Sequence, residues 1–259
     1  MRKYTFDNEK NIISYFRDIK HKVLAYPQSD EISQIFQSIS DEKLWQSWID
    51  SSSKADLPPD FFNPELKFMM EVMMFDDRAT IDGRKHATKK RESEMLRELK
   101  DSVLESDFFN LKDIFILADS KLSTDDDHNF TRFRGNFNRV IMKHANKVKR
   151  YRQNHPDYKL VFFIFDESSG IYFENPETGN VKFGNTTLSR PHFYWCDNVM
   201  VESIKKSGAD YVIWFKPYNS FKTNSGIIDD FPKVIIYELN KMKFKTETYH
   251  ENRMISSEM

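Results

Sequence analysis

Through residues 1–50, apolar positions return every three or four residues. "NIISYFRDIKHKVL" and "DEISQIFQSISDEKLWQSWI" both carry this spacing, with Ile32, Ile35, Phe36 and Ile39 along one side of the second. Such periodicity predicts amphipathic helices. The Ser-, Pro- and Asp-rich stretch "DSSSKADLPPDFFNP" then interrupts the pattern as a loop. It separates a helical N-terminal part, residues 1–53, from a core spanning 54–259, unless the two form one continuous domain. Next, "PELKFMMEVMMFDDR" is apolar almost all round, as a buried strand would be. Leu66, Met69, Met70 and Met73 nonetheless fall at helical spacing and Pro64 suits a helix start, so the segment reads as a helix ending at Asp76 or Asp77. Residues 88–106, "TKKRESEMLRELKDSVLES", predict an amphipathic helix with Met95, Leu99 and Val103 on its apolar side.

From residue 113 onward the pattern alternates between types. "IFILAD" (114–119), "KLVFFIFDE" (159–167), "ADYVIWFKP" (209–217) and "KVIIYELN" (233–240) are short apolar runs that read as strands. Helical patterns at 133–153 and 196–208 lie between them, the second with Gly208 at its end. Uniformly apolar strands separated by helices predict an α/β or α+β fold. Its sheet is mixed, partly parallel, flanked by helices and covered on both faces. The segment 168–195, with Gly170, Pro176, Gly179 and Gly184, reads as a hairpin insertion.

Composition narrows the function classes. The 259 residues carry a net charge of -1, so any nucleic-acid surface must be a local patch. Only 7 glycines are present, and no GxxxxGK[ST], GxGxxG or GxSxG occurs, which leaves phosphate-loop, dinucleotide and serine-hydrolase readings without support. The single cysteine, Cys196, excludes an internal disulfide and a cysteine-built zinc site. With no apolar leader in "MRKYTFDNEKN" and no long apolar run, the expectation is a cytoplasmic protein without a membrane span.

The candidate chemistry centres on "DIFILADSKLSTDDDHNF". An apolar strand ends at Asp119, and Lys121 lies two residues on, on the same face. A carboxylate there can hold Mg²⁺ and the lysine can position a water or steady a phosphate. With "DSK" at 119–121, a helix after it and a strand at 159–166, the sequence resembles the PD-(D/E)XK nuclease superfamily over roughly residues 60–167. The resemblance implies an Mg²⁺-dependent nuclease in which Asp119 holds the metal and Lys121 positions the attacking water. The second carboxylate would come from Asp77, then Asp76, with Glu71 assisting. A literal "PD" also occurs at Pro59–Asp60, but it is distant from Asp119 and falls in a loop.

Residues 132–155 hold basic side chains and no Asp or Glu. Arg139, Lys143, Lys147 and Arg150 form a helical stripe opposite Phe137, Ile141, Ala145 and Val148. A one-signed stripe is suited to a nucleic-acid backbone, and "RATIDGRKHATKKR" (78–91) adds a second basic segment. "STDDDHNF" reads as a solvated turn that caps the next helix. Asp166, ending a strand after the basic helix, admits a rival: a Rossmann-like Mg²⁺ hydrolase with Asp119 and Asp166 as ligands. A different class remains open as well, a non-catalytic module binding nucleic acid or a protein partner. The Lys, Asn and Phe content suits an AT-rich genome, hence a bacterial or mobile-element conflict system. Trp195, Tyr194 and Trp214 read as core aromatics before base-stacking ones.

Overall fold

The computed structural model describes residues 6, 8–18, 23–51, 59–77, 80–81, 84–85, 129–168, 170–175, 190–218, 220–222, 228–243 and 245–256. The expected helix at 88–106, the strand at 114–119, Asp119, Lys121 and the "STDDDH" turn lie outside these residues, as does most of the basic segment 78–91.

In chain order, helix α1 (Glu9–Asp18) turns Ile12, Ile13 and Phe16 inward. Strand β1 (Val23–Tyr26) follows, and then α2 (Asp30–Ser40), whose first turn is capped by Ser29 Oγ accepting the Ile32 N–H at 3.2 Å. A one-turn helix α3 (Glu42–Trp45) leads to β2 (Ile49–Asp50), β3 (Phe61–Asn63), β4 (Phe68–Phe75) and the small hairpin β5 (Thr80–Ile81) with β6 (Arg84–Lys85). Helices α4 (Phe130–Ala145) and α5 (Val148–Asn154) precede β7 (Lys159–Asp166), β8 (Tyr172–Glu174) and β9 (Arg190–Pro191). Helix α6 (Asn198–Lys205), β10 (Tyr211–Phe215), β11 (Ser220–Lys222), β12 (Ile228–Asp230), β13 (Val234–Glu238) and β14 (Met254–Ser256) complete the order.

The fold is mixed α/β. Among the described residues, seven strands form one sheet in the order β1-β13-β10-β7-β4-β3-β2. Its centre is parallel, β4 beside β7 and β7 beside β10, while β13 is antiparallel to β10 and β3 is antiparallel to β4. One face carries Met69, Met73, Leu160, Phe162, Ile164, Val212 and Trp214, covered by α4, α5 and α6. The other carries Phe68, Met70, Val161, Phe163, Ile213 and Phe215, covered by α1 and α2. Each fully buried side chain of this size contributes about 1.5–3 kcal/mol, and Phe137 stacks on Trp214 with centroids 4.5 Å apart. Among the described residues no helix is long and apolar enough to cross a membrane.

Three expectations are corrected. Residues 68–75 are a strand, not a helix, because both faces of a central strand are buried and an all-round apolar run satisfies either geometry. The expected helix 133–153 is two helices, broken at Asn146–Lys147. Within the N-terminal helical part, Val23–Tyr26 pairs parallel with β13 as an edge strand. The 168–195 insertion does contain a hairpin, β8 with β9, and β14 adds a third strand to it.

Candidate functional site

Glu71 lies within β4 on the face covered by α4 and α5, and is 4% exposed. A carboxylate buried this deeply needs partners. His144, in the last turn of α4, places Nδ1 2.8 Å from Glu71 Oε1. Lys147, at the break between α4 and α5, brings Nζ to 3.7 Å from the same oxygen while half of its side chain stays in solvent. The interruption of the helix is therefore what lets Lys147 join a buried carboxylate to the surface.

On the neighbouring strand, Phe61 pairs with Met70 and Phe62 with Met69. Continuing that register by one residue sets Asp60 opposite Glu71, where directly opposed Cβ atoms lie about 4.5–5.5 Å apart. Asp60 Oδ2 accepts the Val72 N–H at 2.8 Å, taking over the edge of β4 where β3 ends. Burial first, and then the Glu71 charge, hold the Asp60 carboxyl well above the usual carboxylate range. The Val72 N–H opposes that rise, Glu9 of α1 adds to it, and Lys147 opposes it again.

Tyr151, on α5, is fully buried, and among the described residues its hydroxyl makes no hydrogen bond. It lies beside Glu71. Burial, then the charge of Glu71 and the hydrogen-bonding approach of its carboxylate, and then the Asp60 charge push its pKa up. The Tyr151 hydroxyl and the Glu71 and Asp60 carboxyls thus lie together beside His144 and Lys147. Among the described residues no three His, Cys, Asp or Glu side chains are gathered so as to hold a metal ion. A pair of carboxylates still fits Mg²⁺, which commonly takes one or two carboxylates and completes its shell with water and substrate phosphate.

A second polar cluster sits at the carboxyl ends of the parallel strands. Asp166, ending β7, is fully buried. Its Oδ1 accepts the Ser168 N–H at 3.0 Å and the Ser168 hydroxyl, and its Oδ2 accepts Trp214 Nε1–H at 3.2 Å. Lys216 Nζ, 2% exposed as a residue, stands 3.5 Å from Oδ2 and also donates to Ser168 Oγ. Burial raises the Asp166 pKa, and Lys216 and Ser168 partly offset it. Asp77, just past β4, accepts the Tyr172 hydroxyl at 2.7 Å. Gly170 is held against it, since a Cβ there would lie 2.9 Å from Asp77 Oδ2. Both Asp166 oxygens are thus engaged by protein donors, which is a structural arrangement rather than an open coordination site.

The expected ligands therefore separate. Asp76 and Asp77 follow the end of β4, while Glu71 is set back from that end by about 13 Å of strand and belongs with Asp60. The Asp76 carbonyl accepts Asn136 Nδ2–H at 2.9 Å. Sequence reasoning discounted Asp60 for its distance from Asp119. The signal that identifies it is the antiparallel pairing of β3 with β4, hidden while 68–75 read as a helix. No sequence signal marked His144 or Tyr151 beyond their place on the basic helices.

Arg139, Lys143, Lys147 and Arg150 are all exposed, and Phe137, Ile141 and Val148 are buried behind them. Arg134 and Arg152 are occupied elsewhere, by Asp197 at 2.8 Å and Asp210 at 3.2 Å. Asp197 also meets buried His192 at 2.8 Å and caps α6. The Cys196 thiol is pushed up to about 11 by burial and then by Glu247 and Asp197, so it stays protonated at neutral pH and is a poor nucleophile. Trp214 and Tyr194 are core residues, as read from the sequence, while Trp195 is partly buried. Comparison with protein-family models, with curated proteins and with solved structures returns no match.

Proposed function

We propose that the chain is a metal-dependent nuclease that hydrolyses nucleic-acid phosphodiesters at the edge where Asp60 meets Glu71. The observation that carries this reading is the pairing of two carboxylates across β3 and β4, one with its pKa raised by burial and then by the other's charge, beside an acid-free cationic helix face. The order Pro59–Asp60, then Glu71–Val72–Met73, resembles the PD-(D/E)XK pattern with Met73 in the lysine position. Lys147 would supply the missing ammonium from the start of α5.

In this reading Asp60 and Glu71 would hold Mg²⁺, which supplies charge neutralisation at the phosphate and a more acidic bound water. His144 fixes the orientation of the Glu71 carboxylate. Lys147 is placed to bind a phosphate oxygen, because its side chain is half in solvent and already leans toward the site. Arg139, Lys143 and Arg150 would carry the flanking backbone. A cytoplasmic role in a bacterial or mobile-element conflict system fits the composition.

The test is Mg²⁺-dependent cleavage of labelled DNA and RNA by wild type, Asp60→Asn, Glu71→Gln, Asp119→Asn and Lys121→Ala. Loss of cleavage in the first two variants, with binding retained, is the expected result. Loss only in Asp119→Asn and Lys121→Ala would move the site to the "DSK" segment. Binding without cleavage by wild type would make the chain a nucleic-acid-binding module instead.

A further inference from the structure

Phe62 lies two residues from Asp60 on β3, and partly packs against the α4–α5 side of the core. Its ring meets His155 at 4.7 Å between centroids, and His155 meets Tyr158 at 4.9 Å. All three residues are partly exposed, whereas the adjacent Phe61, facing the other side of the sheet, is 1% exposed. Core packing therefore draws in Phe61 fully and this trio only in part. His155 closes α5 one turn after Tyr151, so the helix face that reaches the carboxylates continues directly into the aromatic group. Lys67 Nζ stands 5.0 Å from the Tyr158 ring centre. Lys67 also adopts a left-handed backbone with φ 56, where a β-carbon is disfavoured, and it is the non-glycine residue that does so among those described.

From this juxtaposition we infer that the substrate is single-stranded nucleic acid, with an unpaired base stacked on Phe62, His155 and Tyr158 while its phosphate reaches the Asp60–Glu71 edge. This rests on the nuclease reading of that edge and specifies its substrate class. The chemistry follows from the parts. Every base has a π-face, so stacking tolerates any sequence, and Lys67 beside Tyr158 and Lys147 beside Glu71 supply cations for the phosphates. A base inside a duplex is already stacked on its neighbours and offers no free face. Burial lowers the His155 pKa, which favours the neutral ring.

The experiment measures binding of a single-stranded oligonucleotide carrying 2-aminopurine, and of its duplex, in EDTA so that nothing is cut. Wild type and the double variant Phe62→Leu/Tyr158→Leu are compared, leucine retaining apolar bulk so that the fold is kept. The inference expects the single strand to bind at least about tenfold tighter than the duplex, with quenching of the base fluorescence. The double variant should lose roughly tenfold or more in affinity and lose the quench, in line with about 1–3 kcal/mol per stacked base. Equal binding of strand and duplex, or an unchanged double variant of native circular dichroism, overturns it. If the single-strand preference and quench hold but wild type cleaves nothing with Mg²⁺, the nuclease reading falls and the stacking assignment stands.

Discussion

Asp60 separates a site from a merely polar strand edge. Its folded pKa lies above the unfolded value near 3.9. The folded chain therefore binds this proton more tightly, and stability is lost as pH rises from about 4 toward the folded value. Asp60→Asn removes the charge and can keep the acceptor for the Val72 N–H. At pH 8 the variant should be more stable than wild type by on the order of 1 kcal/mol, a few degrees in Tm, and the difference should vanish near pH 4. Thermal melts across that range check it; an Asp60→Asn chain less stable than wild type at pH 8 would mark Asp60 as a structural cap. Cation linkage gives a companion prediction. Mg²⁺ at millimolar concentration should raise the wild-type Tm at pH 8, because it binds the folded pair preferentially. Glu71→Gln and Asp60→Asn should each abolish that rise, which differential scanning fluorimetry can read without any substrate.

Helices α4 and α5 act through their solvent face. Replacing Arg139, Lys143 and Arg150 together by Gln should flatten the salt dependence of nucleic-acid binding by about 2–3 in log–log slope, since each phosphate contact contributes roughly 0.7–0.9. The fold should persist, because Gln is a good helix former and Phe137, Ile141 and Val148 are untouched. An unchanged slope in fluorescence-anisotropy titrations would reduce the stripe to a solvated face. Elements are also where sequence legibility divides. Strands β7, β10 and β13 could be read directly, as short apolar runs between turn residues. Helix α2 was equally plain from Ile32, Ile35 and Ile39. Strand β4 was not, because Met favours helices and a continuous apolar run contains every helical spacing by default. That misreading hid the antiparallel neighbour β3 and with it the pairing of Asp60 with Glu71. The break at Asn146–Lys147 was equally hidden, since neither Gly nor Pro marks it. The basic stripe, by contrast, depends only on helical phase, and both helices keep it.

At the scale of the whole molecule, the Asp166–Lys216 cluster ties the sheet to its flanking hairpin. Asp166 ends β7, Trp214 and Lys216 come from β10 and the residue after it, and Ser168 and Gly170 lead into β8. Lys216 also stands 5.0 Å from the Phe133 ring centre under α4. A buried ion pair adds little net stability against apolar substitutes, but removing one partner leaves an uncompensated charge, typically costing about 3–5 kcal/mol. Lys216→Met should therefore destabilise by about that amount at pH 7. The loss should shrink at low pH, because the raised Asp166 pKa lets the carboxyl protonate. The double variant Asp166→Asn/Lys216→Met should be more stable than Lys216→Met alone, since no charge remains to be buried. Urea unfolding of the three chains measures both effects. A Lys216→Met cost below about 1 kcal/mol at pH 7, or a double variant no better than the single, would mean that Asp166 reaches water in the folded state. It would then regain its place as a ligand candidate at the strand ends. If the cost is as expected, Lys216→Met kept below its melting temperature should still bind nucleic acid as wild type does. The stripe and the Asp60–Glu71 edge draw on β3, β4, α4 and α5, and neither requires a charge from the Asp166 cluster.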